Sequence, residues 1–124
     1  LAMAFNEMKR CAPNQHIIFD GHSIIDNDQG IVIIPTDTFE QIAPSSIIFI
    51  EEEPEVIAVR RDADTGRSRP LRTVEELAAQ QTLARNTAIE YGHVLSTPCH
   101  VIHSGENVIF ENLLIEALGI CGNE

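Results

Sequence analysis

The chain has little positive charge. It contains eight lysine and arginine residues and nineteen aspartate and glutamate residues, for a net charge of −11, and Lys9 is the only lysine. Proteins that bind nucleic acids or anionic membranes without sequence specificity need a broad basic surface. The composition therefore argues against both functions. A few clustered arginines can still form a local phosphate site.

Long apolar stretches are also missing, since none approaches the roughly 20 residues that span a bilayer. No signal peptide is visible.

Three widely spaced cysteines indicate free thiols in a reducing compartment, so we expect a cytoplasmic protein. The spacing of Cys99, His100 and His103 matches no standard zinc site. The chain begins at Leu1 rather than at a methionine, and we therefore expect a fragment or a processed chain.

Hydrophobic periodicity predicts an α/β fold with one domain over residues 1–124. Apolar runs typical of buried parallel strands occupy 16–19, 46–50 and 100–103. A hairpin with Gly30 in its turn is predicted over 23–34. Helical patterns cover 1–11, 36–42, 55–61, 73–91 and 108–118. Strands that alternate with helices predict a mainly parallel, three-layer sheet.

Two helix starts carry capping signals. The segment Thr73-Val74-Glu75-Glu76 has the form of a capping box, in which a threonine and a glutamate satisfy each other's backbone N–H groups. The helix over 36–42 follows Pro35, and we expect Thr36 or Asp37 to cap it.

The carboxyl ends of the predicted strands indicate where a ligand binds, because ligands of open α/β sheets lie beyond these ends. Asp20 follows four residues that can be buried, which is the form of a Walker B strand. A carboxylate there can orient Mg²⁺ or its water shell beside nucleotide phosphates. The alternative is an aspartate that caps the following turn. The pattern alone favours neither.

The arginines are concentrated in one place. Four of the seven lie within ten residues: Arg60, Arg61, Arg67 and Arg69. Guanidinium groups bind phosphate oxygens in pairs and stabilise charge on a transferring phosphoryl group. The alternative is a solvated loop with salt bridges to Asp62, Asp64 and the acids at 51–53. Arg85, in the long helix, either pairs with an acid such as Glu90 or reaches the phosphates.

These arginines lie in a pattern that resembles a known family. The segment Asp64-Thr65-Gly66-Arg67-Ser68-Arg69, preceded by Arg60 and followed by Leu83-Ala84-Arg85, resembles the lid and next helix of archaeal-type adenylate kinases and their AAA-type ATP-binding relatives. Phe19-Asp20-Gly21-His22-Ser23 is similar to the family's D-(T/G)-H segment. His103-Ser104-Gly105-Glu106 resembles the loop that packs on the adenine base. The resemblance covers about Ile17 to Leu118.

The resemblance implies a P-loop NTPase fold and transfer of the γ-phosphoryl group of ATP to a nucleoside monophosphate, with Mg²⁺. It implies that Asp20 holds the magnesium through water, and that Ser104 and Gly105 bind the nucleotide, with Gly105 allowing close approach to the base. The arginines that it implies as phosphate clamps are Arg60, Arg67, Arg69 and Arg85.

One hallmark of the family is absent from this sequence. No segment matches G-x-x-x-x-G-K-[ST], whose backbone N–H groups and lysine hold the β- and γ-phosphates, and no glycine precedes Lys9. We therefore expect this chain to be the C-terminal part of such a protein, with a lid-like loop at about 62–70. We expect its sheet to lack the first strand, and the chain alone to be inactive as a kinase.

Two other functions are compatible with the residues. The chain could be a non-catalytic nucleotide-sensing or protein-interaction domain that forms a homo-oligomer through its incomplete sheet. It could also be a Mg²⁺-dependent nuclease in which Asp20 acts with Asp37 or Glu51. The net charge argues against the nuclease, because polynucleotides are bound by basic surfaces.

Overall fold

The structure, a computed structural model, describes residues 2–11, 15–27, 29–64, 66 and 70–119. Within these ranges the five predicted helices, the hairpin and two of the three strands predicted for the parallel sheet are present. In chain order they are α1 (Ala2–Cys11), β1 (Ile24–Asn27), β2 (Gly30–Ile33), α2 (Thr36–Ile42), β3 (Ile47–Glu51), α3 (Pro54–Ala63), α4 (Val74–Leu95), β4 (Cys99–His103) and α5 (Asn107–Leu118).

Strands β3 and β4 form a parallel pair, which confirms the α/β class. Ile47 is the register partner of Cys99, and Glu51 is the partner of His103, so both strands end at the same edge. Helix α4 packs against both strands and against α3. The sheet has two strands in the described part of the chain, in agreement with the expectation that it is incomplete.

Strands β1 and β2 form the predicted antiparallel hairpin. Gly30 pairs with Asn27 at its closed end and has a φ of +117°, a conformation that side-chain-bearing residues rarely adopt. Two contacts fix the hairpin to α4. The Ser23 hydroxyl donates to the carbonyl of Ala84 at 2.9 Å, and the Tyr91 hydroxyl lies against the carbonyls of Ser23 and Ile34.

The predicted strand over residues 16–19 does not form. This segment is irregular, and Ile18 is 67% exposed. A strand needs a hydrogen-bonded neighbour, and in the described residues β3 pairs with β4 alone. The apolar residues of the segment find another partner, because Phe19 packs edge-on against Phe5 of α1, with ring centroids 5.3 Å apart, beside Ile42.

One of the two predicted caps is present. Thr73 Oγ1 accepts the N–H of Glu76 at 3.1 Å, and Glu76 Oε1 accepts the N–H of Thr73, so the capping box at α4 is confirmed. The prediction for α2 is wrong. Pro35 takes the N-cap position in an extended conformation, Thr36 is already helical, and no side chain caps this helix.

The buried core is small. The hydrophobic residues that are buried in the described ranges are Phe5, Ile42, Leu77, Ala88, Tyr91 and Ile102. The prediction of fully buried strands is wrong, since Ile50 in β3 is 52% exposed and Val101 in β4 is 37% exposed. Helix α5 is apolar but contains no buried residue. Among the helices described, none combines the length and apolarity needed to cross a membrane.

Candidate functional site at the carboxyl edge of the parallel strands

The carboxyl ends of β3 and β4 meet at one edge, where the chain places acids, arginines and a histidine. Glu51 and His103 are the last residues of the two strands and pair in register. The N–H of Ser104 continues the ladder by donating to the carbonyl of Glu51 at 2.7 Å. The two segments that follow, 51–53 and 104–106, are therefore neighbours, as expected of strand ends in a parallel sheet.

Gln81 of α4 fixes the backbone beyond the end of β3. Its Oε1 accepts the N–H of Glu52 at 2.8 Å, and its Nε2 donates to the carbonyl of Glu52 at 2.7 Å. These two bonds satisfy a backbone unit that has left the strand ladder. The sequence pattern gave no sign of this role, because Gln81 lies 29 residues from its partner and glutamine in a helix is ordinary.

Glu52 is the most firmly held acid of the edge. Its carboxylate accepts the N–H of Glu53 at 3.0 Å and lies 3.3 Å from Nη2 of Arg60, with a side chain that is 16% exposed. A hydrogen bond from the Ser104 side chain, followed by the Glu53 N–H and the charge of Arg60, lowers the pKa of this carboxyl below its ordinary value. Glu52 is therefore ionised at neutral pH.

The structure brings two of the predicted phosphate-binding arginines to this edge. Arg60, in the last turn of α3, pairs with Glu52. Arg85, in the middle of α4, has Nη1 3.5 Å from Oε2 of Glu51. The Arg60 pair matches the alternative considered from the sequence, whereas Arg85 pairs with an acid of β3 rather than with one of its own helix. Arg67 and Arg69 lie outside the described residues.

Asp20 lies in the irregular segment before the hairpin. It is exposed, and in the part of the chain that the structure describes it forms no ion pair with Arg60 or Arg85. Its role in binding magnesium stays a prediction. No group of three or more His, Cys, Asp or Glu residues in the described ranges is arranged to hold a metal ion.

His103 links the acidic turn after β3 to the turn after β4. Its Nδ1 is 2.6 Å from the carbonyl of Ser104, and its Nε2 is 3.5 Å from Oε1 of Glu53 and 3.8 Å from Oε1 of Glu52. The hydrogen bond to the Ser104 backbone, with the two carboxylates, raises the pKa of the imidazole above its ordinary value. The sequence pattern did not predict this link, because His103 is distant in sequence from Glu52 and Glu53.

Gly105 forms the turn after β4 with a φ of +94°. A Cβ built on it would meet no heavy atom within 4 Å. The glycine is therefore explained in this structure by its backbone conformation rather than by crowding. The open space beside it leaves room for a ligand to approach the backbone of Gly105.

A second charged cluster joins the hairpin to the two helices. Asp26 of β1 accepts hydrogen bonds from Arg72 at 2.8 and 3.2 Å and from Gln80 at 3.1 Å, and Nη2 of Arg61 lies 3.8 Å away. The hydrogen bonds from Arg72, more than the other contacts, lower the pKa of Asp26. Arg61 therefore belongs to this cluster rather than to the strand edge. The sequence pattern did not predict this cluster, because Arg61, Arg72 and Gln80 lie 35, 46 and 54 residues from Asp26.

The sequence model of the family described as the AAA domain matches residues 1–78, more than half of the chain. The chain belongs to the AAA domain family. The matched span of this AAA domain includes the hairpin, β3, Arg60 and Asp20, and it ends within α4.

This AAA domain is also similar to archaeal adenylate kinases. The enzyme of Thermococcus kodakarensis is 29% identical over 117 residues, which are 91% of this chain and 60% of the relative. The adenylate kinases of Methanococcus aeolicus and Methanococcus vannielii are 23% and 24% identical, over 90% and 95% of this chain. These matches cover 58% and 62% of the two Methanococcus proteins. The chain thus spans about three fifths of the length of these relatives, and the resemblance to archaeal adenylate kinases is confirmed.

Proposed function

We propose that this AAA domain is part of an ATP-dependent nucleoside-monophosphate kinase of the adenylate kinase type, and that it binds nucleotide phosphates at the carboxyl edge of β3 and β4. The observation that carries the proposal is the position of Arg60 and Arg85. They come from different helices, yet each pairs with one of two consecutive acids at the end of β3. The similarity to archaeal adenylate kinases supports it.

Each predicted site residue has a role in this proposal. Arg60 and Arg85 bind phosphate oxygens and stabilise charge on the transferring group, because guanidinium forms paired, charge-assisted hydrogen bonds with them. Arg67 and Arg69 remain predicted contributors to the same clamp. Gly105, which is exposed, offers its backbone to the nucleotide base, and Ser104 lies beside it. Magnesium, when bound, neutralises phosphate charge, and Asp20 would orient its water shell.

We further propose that these 124 residues do not transfer phosphoryl groups by themselves. The sequence has no glycine-rich loop with a lysine, and reactions of this class depend on that loop to hold the β- and γ-phosphates. The proposed acceptor is a nucleoside monophosphate, and the proposed donor is ATP.

The binding proposal can be tested by NMR titration of the isotope-labelled chain with ATP, with and without Mg²⁺. We expect the side-chain signals of Arg60 and Arg85 to shift, with a dissociation constant on the order of a millimolar, which corresponds to about −4 kcal/mol. The R60M and R85M variants should each weaken binding. The matched control is R10M, since Arg10 is an exposed arginine that pairs with Glu7 on α1. Binding that is insensitive to R60M and R85M would contradict the proposed site.

The activity proposal needs a separate assay. A coupled measurement of ATP consumption with a panel of nucleoside monophosphates should give no turnover above a heat-treated sample of the 124-residue chain. Turnover clearly above that background would show that the chain is active without a glycine-rich loop.

A further inference from the structure

Both described arginines of the proposed phosphate site are already paired with carboxylates of the same edge. Nη2 of Arg60 is 3.3 Å from Oε2 of Glu52, and Nη1 of Arg85 is 3.5 Å from Oε2 of Glu51. Each carboxylate offsets part of the positive charge of the guanidinium beside it. A polyphosphate that binds at this edge therefore competes with these two carboxylates for the arginines.

The two carboxylates differ in how easily they can move away. Glu52 accepts the backbone N–H of Glu53 and is 16% exposed, so it keeps its position and its charge when Arg60 leaves. Glu51 and Arg85 are 31% and 39% exposed, and both side chains can rotate into solvent. Arg60, at 66% exposed, is the more accessible member of its pair. A polyphosphate at this edge therefore meets one fixed negative charge and one that can withdraw.

We propose that Glu51 and Glu52 are internal counter-ions of the phosphate site, which hold Arg85 and Arg60 in the absence of ligand and compete with polyphosphate for them. This inference rests on the proposed function and adds to it a mechanism that limits the affinity of the site. The carboxylates keep the arginines oriented toward the strand edge, and they lower the affinity for any anion that binds there. Removal of either carboxylate charge should therefore tighten anion binding.

The test uses inorganic triphosphate as the probe and the E51Q and E52Q variants of the 124-residue chain. Glutamine preserves the side-chain shape and an acceptor oxygen, but it removes the negative charge. We expect each variant to bind triphosphate about three- to tenfold more tightly than the unmodified chain, where tenfold corresponds to about 1.4 kcal/mol. The gain should shrink in 0.5 M salt, because salt screens exposed charges.

The matched control is E55Q, which removes the same charge from an exposed residue in the first turn of α3. A double-mutant cycle separates competition for the arginine from simple repulsion of the ligand. If Glu51 acts by holding Arg85, the gain from E51Q should be smaller in an R85M background. Circular dichroism and thermal unfolding verify that each variant is folded.

The possible results separate this inference from the proposed function. If the unmodified chain binds triphosphate and the E51Q and E52Q variants bind it no better than E55Q, the inference is wrong and the site remains. If neither the unmodified chain nor the E51Q/E52Q double variant binds triphosphate, the inference and the proposed function are both wrong. If only the glutamine variants bind triphosphate, the carboxylates suppress the site as proposed.

Discussion

Replacement of Asp26 by asparagine should loosen the attachment of the hairpin to α3 and α4. The carboxylate accepts three hydrogen bonds from Arg72 and Gln80, and its side chain is 12% exposed. Hydrogen bonds to charged groups contribute about 1.5–3 kcal/mol each. The loss in D26N should be smaller than the sum of three such bonds, because asparagine keeps one acceptor oxygen and the arginines retain some contact with water. We therefore expect the D26N variant to lose about 2 kcal/mol of unfolding free energy at pH 7.

Urea denaturation measures this loss directly. With a slope of about 1–3 kcal/mol per molar urea, the midpoint should fall by about 1 M. The control is D37N, which makes the same substitution at an exposed aspartate in the first turn of α2 and should leave the midpoint nearly unchanged.

The pH dependence of the unfolding free energy tests whether the loss in D26N comes from the missing charge of Asp26. The pKa of Asp26 in the folded chain lies below its ordinary value of 3.8. A lowered pKa stabilises the fold above the unfolded-state value and loses that contribution as the pH falls through the folded-state value. The difference in unfolding free energy between the native chain and D26N should thus be constant from pH 7 to 5. It should become smaller below pH 3.8. A D26N variant as stable as the native chain at pH 7 would refute the reasoning.

Three further predictions concern single residues. T73A should destabilise the chain by about 1 kcal/mol in urea, because it removes one half of the capping box, whereas T73S should not. G92A should lower the melting temperature despite its better helix propensity, because its Cβ would lie 2.9 Å from the carbonyl oxygen of Thr97; an unchanged melting temperature would contradict this packing. The raised pKa of His103 predicts stabilisation at pH 5.5 that is lost as the pH rises through the folded-state value, since its ring bonds to the Ser104 carbonyl. NMR titration of the ring should give a pKa above 6.5, and H103Q should abolish this pH dependence.

The sequence correctly predicted the features that depend only on interactions between residues close together in the chain. The capping box at Thr73 and the hairpin turn at Gly30 depend on residues within a few positions, and both are present. The strand predicted at 16–19 depends on a neighbouring strand, which a run of apolar residues cannot supply. The apolar side chain of Phe19, in this segment, packs against Phe5 of α1 instead of against a sheet.

In the candidate site too, the sequence predicted the location but not the contacts between residues distant in the chain. The rule that ligands lie beyond the carboxyl ends of parallel strands directed attention to the segments after β3 and β4. The partners of those segments could not be predicted, because contacts such as Gln81 with the Glu52 backbone join residues that are distant in sequence. The roles of Asp20, Arg67 and Arg69 remain predictions.

The contact between Tyr91 and the hairpin makes the chain a convenient optical reporter. The sequence has one tyrosine and no tryptophan, so its ultraviolet fluorescence comes almost entirely from a single buried phenol. Because that phenol lies between the hairpin carbonyls and α4, its emission should change when the hairpin detaches from the helix. Detachment of the hairpin could then be followed in real time without any added label.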